Sequence, residues 1–337
     1  MLKNLPSEWK IIREICDRFW THSPDILLGI GDDAFVFQAK NEKITISQDA
    51  LVETVHFDRK YFSPQDLAHK ILAVNLSDLV SKGAIPRYVF LTLALPSDID
   101  VGWVQEFFKE LAGLCSVHQV TLSGGDLTRS PGPIMLDMNA LGICPINPIP
   151  RSGAENGDLL MVSGPLGLSH LGLLSLTKNI SLPSNHFQRL YTSHLRPKAR
   201  TDLLPFLHKN RGLIHASIDV SDGLINETSQ ILKSRPQLGA LIDYDRFTQS
   251  WNDQDPQLVS MMTEAAEIHG TKLSDAIFWG GEDYELLCAV PKAATEIFQR
   301  HHWFIVGEVT EKYEGIFLKQ DSQIIPIQEY AGFQHFA

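Results

Sequence analysis

The chain has 337 residues, 44% of them apolar and 20% charged, which predicts two domains with substantial cores and argues against disorder or a repeat array. Its formal charge of −11, with no run of lysine and arginine, disfavours a bare nucleic-acid or anionic-membrane binder, although an acidic protein still binds phosphates through Mg²⁺. No apolar stretch approaches the roughly 18 residues of a membrane helix, residues 1–9 lack a signal-peptide core, and the scattered Cys16, Cys115, Cys144 and Cys288 read as reduced core thiols; the expected compartment is the cytosol.

Helical spacing over residues 8–20 is followed by strand-like Ala34 to Gln38 and Ile44 to Ser47. Ser63-Pro64 reads as an N-cap with proline in the first helical position. The apolar spacing Leu67, Ile71, Val74, Leu79 then predicts a helix up to Gly83, with Asn75 and Asp78 three apart on one face. A strand at Tyr88 to Leu95, a helix from Val101 to His118, and strands at Val120 to Ser123 and Ile134 to Ile143 complete the first half.

Pro145, Pro148 and Pro150 suit a connector better than a regular element, which sets the expected domains at 1–148 and 149–337. The second half predicts strands at Asp158 to Ser163, Leu213 to Val220, 239–243, Tyr284 to Val290 and Phe304 to Val309. Helices are expected after Gly164-Pro165-Leu166-Gly167, near 184–194 and 198–209, after Gly223, at 257–269 and at Ala293 to His301.

Five short segments set acids beside glycine or serine at the ends of apolar runs: Gly31-Asp32-Asp33, Ser47-Gln48-Asp49, Gly124-Gly125-Asp126, Asp219-Val220-Ser221-Asp222-Gly223 and Gly280-Gly281-Glu282-Asp283. Any one of them is explained by turn preference alone, and Asp222 could cap the helix after it. Five of them predict carboxylates gathered where ligands bind in mixed sheets, a concentration of negative charge that calls for bound cations and, with them, phosphate. Asp32 and Asp33 point to opposite sides in an extended chain, and Asp33 is favoured as the ligand. Gly124-Gly125 offers bare backbone N–H groups to phosphate oxygens, and Ser221 offers a hydroxyl and an amide. There is no G-x-x-x-x-G-K-[ST] loop and no kinase glycine-rich loop with its lysine, so a less common nucleotide fold is required.

These segments, taken with Ala73-Val74-Asn75-Leu76-Ser77-Asp78, Leu127-Thr128-Arg129 and Tyr284-Glu285-Leu286, resemble the thiamine-monophosphate kinase family nearly end to end. Its wider group contains aminoimidazole ribonucleotide synthetase, selenophosphate synthetase and a hydrogenase-maturation protein. The resemblance implies a two-domain fold, α+β in an N-terminal domain that pairs with its twin through a sheet or barrel, and α/β in the C-terminal domain. It implies ATP and several Mg²⁺ ions, a homodimer, and transfer of the ATP γ-phosphate to thiamine monophosphate, a final step of thiamine diphosphate biosynthesis. Metal ligation carries over to Asp33, Ser47, Gln48, Asp49, Asp78, Asp126, Asp219 and Asp222. Gln48 stands where related sequences often have threonine, and would ligate through its backbone or amide oxygen. ATP contacts carry over to Gly125, Asp126, Arg151 and Ser221, and acceptor contacts to His56, Glu282 and Phe333. His118 stands where tyrosine is expected near adenine.

The implied reaction is in-line transfer with Asp49, Asp78 and Asp126 as the catalytic metal-holding acids. A selenophosphate synthetase would add a reactive cysteine and lysine in an N-terminal glycine-rich loop, whereas Cys16 lies in a helical pattern. A ring synthetase is disfavoured by the pattern around His56 and Gly280 to Leu286. A non-catalytic ATP sensor is the alternative from another class.

Overall fold

A computed structural model describes residues 42–178 and 187–327, together with the backbone of two short strands at 26–28 and 36–37. Asp33, Phe333, Cys16 and the helix expected over 8–20 lie outside the described residues. The chain divides into two compact units, Met1–Ile146 and Asn147–Ala337.

In the first unit β1 (Ile26–Leu28) pairs antiparallel with β2 (Val36–Phe37). A four-stranded sheet follows, built from β3 (Lys43–Val52), β4 (Ile85–Leu95), β5 (Thr121–Arg129) and β6 (Met135–Cys144) in the order β3-β6-β4-β5. Only β4 and β5 run parallel, joined by the crossover helix α2 (Val101–His118). Helix α1 (Pro64–Ser81) starts as its sequence predicts. Ser63 caps it, Pro64 occupies the first turn, and Asp66 closes a capping box.

The strands alternate with period two. Leu51, Leu91, Leu93, Leu136 and Met138 are buried on the face that α1 covers, while Ile44, Ile46 and Met135 are exposed on the other. Two acidic segments expected at strand ends lie inside strands instead: Ser47-Gln48-Asp49 in β3 and Gly124-Gly125-Asp126 in β5. As an edge strand beside β4 alone, β5 tolerates two glycines that would weaken a central one.

The second unit holds β7 (Leu159–Val162), α3 (Leu168–Thr177), α4 (Gln188–Leu195), α5 (Leu204–Lys209), β8 (Ala216–Asp219), α6 (Leu224–Leu232) and β9 (Gly239–Asp243). It continues with α7 (Tyr244–Gln254), α8 (Pro256–His269), α9 (Leu273–Trp279), β10 (Leu286–Val290), α10 (Thr295–Gln299), β11 (Phe304–Thr310), β12 (Gly315–Gln320) and β13 (Gln323–Pro326). Seven strands form one sheet in the order β13-β12-β9-β11-β7-β10-β8, antiparallel except for β12 against β9. Leu160, Val162, Ile218, Leu287 and Val306 from the strands bury against Phe247 and Trp251 of α7 and Ile225 of α6.

Helix α7 was invisible to apolar spacing because only Phe247 and Trp251, four apart, are buried along its polar length. The strand expected from Tyr284 begins at Leu286, since Glu282 and Tyr284 take φ of 65° and 53° and cannot extend the ladder. Among the described residues no helix is long and apolar enough to cross a membrane. Cys115, Cys144 and Cys288 are buried free thiols, and burial pushes Cys115 up to about 12.

Candidate active site

In the first unit, α1 is sewn to β3 where the polar segment lies. The Ser47 hydroxyl donates to the Asn75 carbonyl at 3.0 Å, and the Asp49 amide donates to Asn75 Oδ1 at 3.2 Å. Asn75 is fully buried, and its Nδ2 donates to the Ile71 carbonyl at 2.9 Å, so the side chain is oriented from both sides. Asp78 follows three residues later on the same side of the helix, half-buried in an otherwise buried stretch. Ser47 and Asp49 therefore belong to one seam, which Asn75 organises, with Asp78 three residues further along α1.

Strand alternation sends Gln48 the other way. Its amide donates to both oxygens of Asp137, at 3.0 and 2.9 Å, on the open face of the sheet. Asp126 is exposed and in register with Thr92, which itself pairs with Asp137, so Asp126 shares the face of Gln48. Within one unit the structure thus does not bring the side chains of Gln48 and Asp126 together with Ser47 and Asp49. Gly125 sits at φ +154°, where an added Cβ would lie 1.9 Å from the Leu91 carbonyl oxygen, so only glycine fits. His56 lies in the turn after β3, where its Nδ1 accepts from the Val52 amide at 3.0 Å. His118 ends α2, with burial first and His69 second lowering its pKa.

In the second unit two acidic segments form a single device. Val220 donates its amide to the Glu285 carbonyl at 2.7 Å, Tyr284 donates to the Val220 carbonyl at 2.9 Å, and Glu282 donates to the Ser221 carbonyl at 2.7 Å. A Cβ at Gly281 would lie 2.2 Å from the Ser221 oxygen, which is why glycine precedes Glu282. Asp219, buried at the end of β8, sits opposite Leu286. Asp222 is not the cap of α6. Gly223 holds that position, and Asp222 Oδ2 instead accepts from Asn226 at 3.4 Å.

The remaining carboxylates brace the device. Glu282 meets His194 Nδ1 at 3.1 Å, and Ser169 lies 3.1 Å from the same nitrogen. Asp283 accepts from the Gly167 amide at 2.6 Å and the Ser169 amide at 3.2 Å, and burial nevertheless pushes it up to about 7. Glu285 is held by Arg200 and Ser163. Arg151 is exposed on the segment after Pro150.

Glu227 accepts from the Asp222 amide at 3.1 Å and the Ser221 hydroxyl at 3.3 Å. Sequence reading passed it over, and its signal was an acid one turn into the helix that follows Ser221-Asp222-Gly223. Burial, helped by nearby Asp219 and Asp222, raises it to about 7. A raised carboxyl contributes stability below its unfolded value near 4.5 and loses it as pH rises through the folded value near 7. Glu227→Gln, which keeps an acceptor and drops the charge, is therefore expected to melt above the parent at pH 8, by on the order of 2 kcal/mol, and level with it at pH 4. Thermal melts at the two pH values check this, and an unchanged difference between them would refute it.

Among the described residues, no group of three or more His, Cys, Asp or Glu side chains is gathered as a metal cluster. The donors that the two units do present, carboxylate, hydroxyl and carbonyl oxygens without thiolates, are the hard set that suits Mg²⁺.

Residues 31–144 match the family of the AIR synthase related protein, N-terminal domain, and residues 155–319 match the C-terminal domain of the same family. The thiamine-monophosphate kinase of Escherichia coli K12 is 33% identical over 342 residues, covering 98% of both chains. The solved structure of AaThiL complexed with AMPPCP and TMP superposes with a TM-score of 0.75 at 28% identity, covering 98% of this chain and 97% of that one. Thiamine-monophosphate kinase from Stenotrophomonas maltophilia K279a gives 0.75 at 28% identity, covering 94% of this chain and 98% of that one. With both domains matched and this identity sustained end to end, the chain belongs to the thiamine-monophosphate kinase family of AIR synthase-related proteins.

Proposed function

We propose that this protein is an ATP-dependent kinase that phosphorylates thiamine monophosphate to thiamine diphosphate, in the cytoplasm, as a final step of thiamine diphosphate biosynthesis. The observation that carries the reading is the end-to-end likeness to AaThiL, whose structure holds AMPPCP and TMP together.

The acceptor is a phosphate monoester, already an oxyanion at neutral pH, so no strong general base is needed and charge repulsion between donor and acceptor is the main barrier. Bound Mg²⁺ supplies the charge neutralisation that lets the two anions approach. In this reading Asp49, Asp78 and Asp126 are the catalytic carboxylates, with Asp33, Ser47, Gln48, Asp219 and Asp222 completing the oxygen donors for several ions. Gln48 takes part through its backbone carbonyl, because its side chain is turned to Asp137. Gly125, Asp126, Arg151 and Ser221 bind ATP, while His56, Glu282 and Phe333 hold the acceptor. The bare backbone at Gly125 and the Ser221 hydroxyl suit phosphate oxygens, and a histidine and an aromatic ring suit the flat cationic rings of a thiamine compound.

The domains 1–148 and 149–337 then divide these residues: Asp33, Ser47, Gln48, Asp49, His56, Asp78, Gly125 and Asp126, together with dimer formation, fall in the first, and Arg151, Asp219, Ser221, Asp222, Glu282 and Phe333 in the second. Exposed Ile44, Ile46 and Met135 on the open face of the first sheet support a homodimer formed through that face. Asp126 lies on the same face, so this pairing would turn it toward the second copy.

The test is ADP release measured with thiamine monophosphate, free thiamine and an aminoimidazole precursor as parallel acceptors. Turnover confined to the monophosphate supports the kinase. Turnover with another acceptor would reassign the chain within its group, and nucleotide binding without turnover would favour a sensor.

A further inference from the structure

Lys70 is a fully buried lysine in the middle of α1, with no exposed surface at all. Long cationic side chains are almost never placed so unless a specific partner compensates for the lost solvation. Its Nζ donates to the main-chain carbonyl of His56 at 3.1 Å and stands 5.2 Å from the centre of the Phe62 ring. The carbonyl belongs to a tight turn. His56 and Val55 both donate their amides to the Val52 carbonyl, at 2.9 and 3.1 Å, and Thr54, at φ 72°, donates to Phe57 at 2.7 Å. Lys70 thus clamps that turn from the helix side.

The imidazole is fixed by a second contact. The Val52 amide donates to His56 Nδ1 at 3.0 Å. A backbone N–H only donates, so Nδ1 carries no hydrogen and the ring's hydrogen resides on Nε2. A ring in this state offers a donor at Nε2 and is not a general base there.

We infer that Lys70 is a positioning residue which, with the Val52 amide, presents His56 as an Nε2–H donor to an anionic oxygen of the acceptor. This deepens the kinase reading and rests on it for the identity of that oxygen, an acceptor phosphate. Binding of a phosphate monoester is helped by such a donor, and the reaction needs no base from His56.

The experiment compares His56→Ala, His56→Gln, His56→Asn, Lys70→Met and the Lys70→Met/His56→Ala double variant in steady-state assays with thiamine monophosphate and ATP varied separately. Glutamine places an N–H donor where Nε2 lies, while asparagine reaches only as far as Nδ1. The expected result is a KM for the monophosphate raised about tenfold in His56→Ala, His56→Asn and Lys70→Met, with little change in His56→Gln or in the KM for ATP. The double variant is expected to be no worse than His56→Ala, because Lys70 acts through His56.

Losses that multiply in the double variant, or asparagine retaining more than glutamine, would overturn the inference. If Lys70→Met fails to fold, the glutamine–asparagine order decides the matter, together with ¹⁵N spectra of labelled histidine in the unaltered protein. An Nδ1–H tautomer or a doubly protonated ring at pH 8 would overturn it whatever the activity. A normal KM in His56→Ala would instead remove His56 from the acceptor site, a failure of the kinase-site reading that leaves the tautomer measurement standing.

Discussion

Asp49→Asn and Asp126→Asn are each expected to fold like the parent and to lose about a thousandfold in turnover, the scale of removing one preorganised charge from a phosphoryl-transfer site. The structure separates the two effects. The Asp49 contact with Asn75 that joins β3 to α1 is made by the Asp49 main-chain amide, which the substitution retains. Asp126 is exposed on an edge strand, where surface substitutions cost little stability. Circular-dichroism melts together with kcat measured at saturating ATP separate folding from chemistry. Near-normal activity in either variant would remove that residue from the catalytic set.

Arg200→Met is expected to destabilise the second unit by about 3–5 kcal/mol, the cost of leaving one member of a buried ion pair uncompensated. The Arg200 and Glu285 side chains keep only 15% and 17% of their exposure. Arg200 also donates to the Ser163 carbonyl at 3.1 Å, while Gly164 lies so close to the Glu285 carboxyl that an added Cβ would come within 2.6 Å. Without the guanidinium, Glu285 must take up a proton or pull away, and its main-chain carbonyl is the acceptor for Val220 at the start of the Ser221 turn. The loss of ion-pair stability is therefore passed directly to a predicted nucleotide contact. A fall in melting temperature of roughly 6–20 °C is expected. Arg200→Met/Glu285→Gln should recover most of it, since removing both charges is far less costly than removing one. A single variant melting within a degree or two of the parent would refute the account of this pair.

The helix from Pro64 was legible because its start is written locally. Ser63, Pro64 and Asp66 supply the cap, the first turn and the capping box without help from the rest of the chain. The mixed helix-and-strand character and the thiamine-kinase family were equally readable, the latter because short acidic segments recur in a fixed order along the whole length. The strand placement of Ser47 to Asp49 and Gly124 to Asp126 was not readable. Glycine, serine and aspartate advertise turns, and only the neighbouring strand β6 or β4 shows that these residues are extended.

Facing was lost for the same reason. Which side of the sheet Asp126 occupies depends on its register with Thr92, a non-local fact. Asn75, Glu227, Arg200 and Lys70 escaped functional notice because their roles are to hold other residues, and such roles appear only as contacts between segments far apart in sequence. The pairing of the Ser221 turn with the Glu282 loop belongs to this class, being made by hydrogen bonds between residues some sixty positions apart (Glu282 to Ser221, Tyr284 to Val220).

Transfer of the γ-phosphoryl group from ATP to thiamine monophosphate is measured by following the label from γ-³²P-ATP in the presence of Mg²⁺ and thiamine monophosphate. The label is expected in thiamine diphosphate, one equivalent for each ADP formed. Label released as inorganic phosphate, with no labelled thiamine diphosphate, would contradict it.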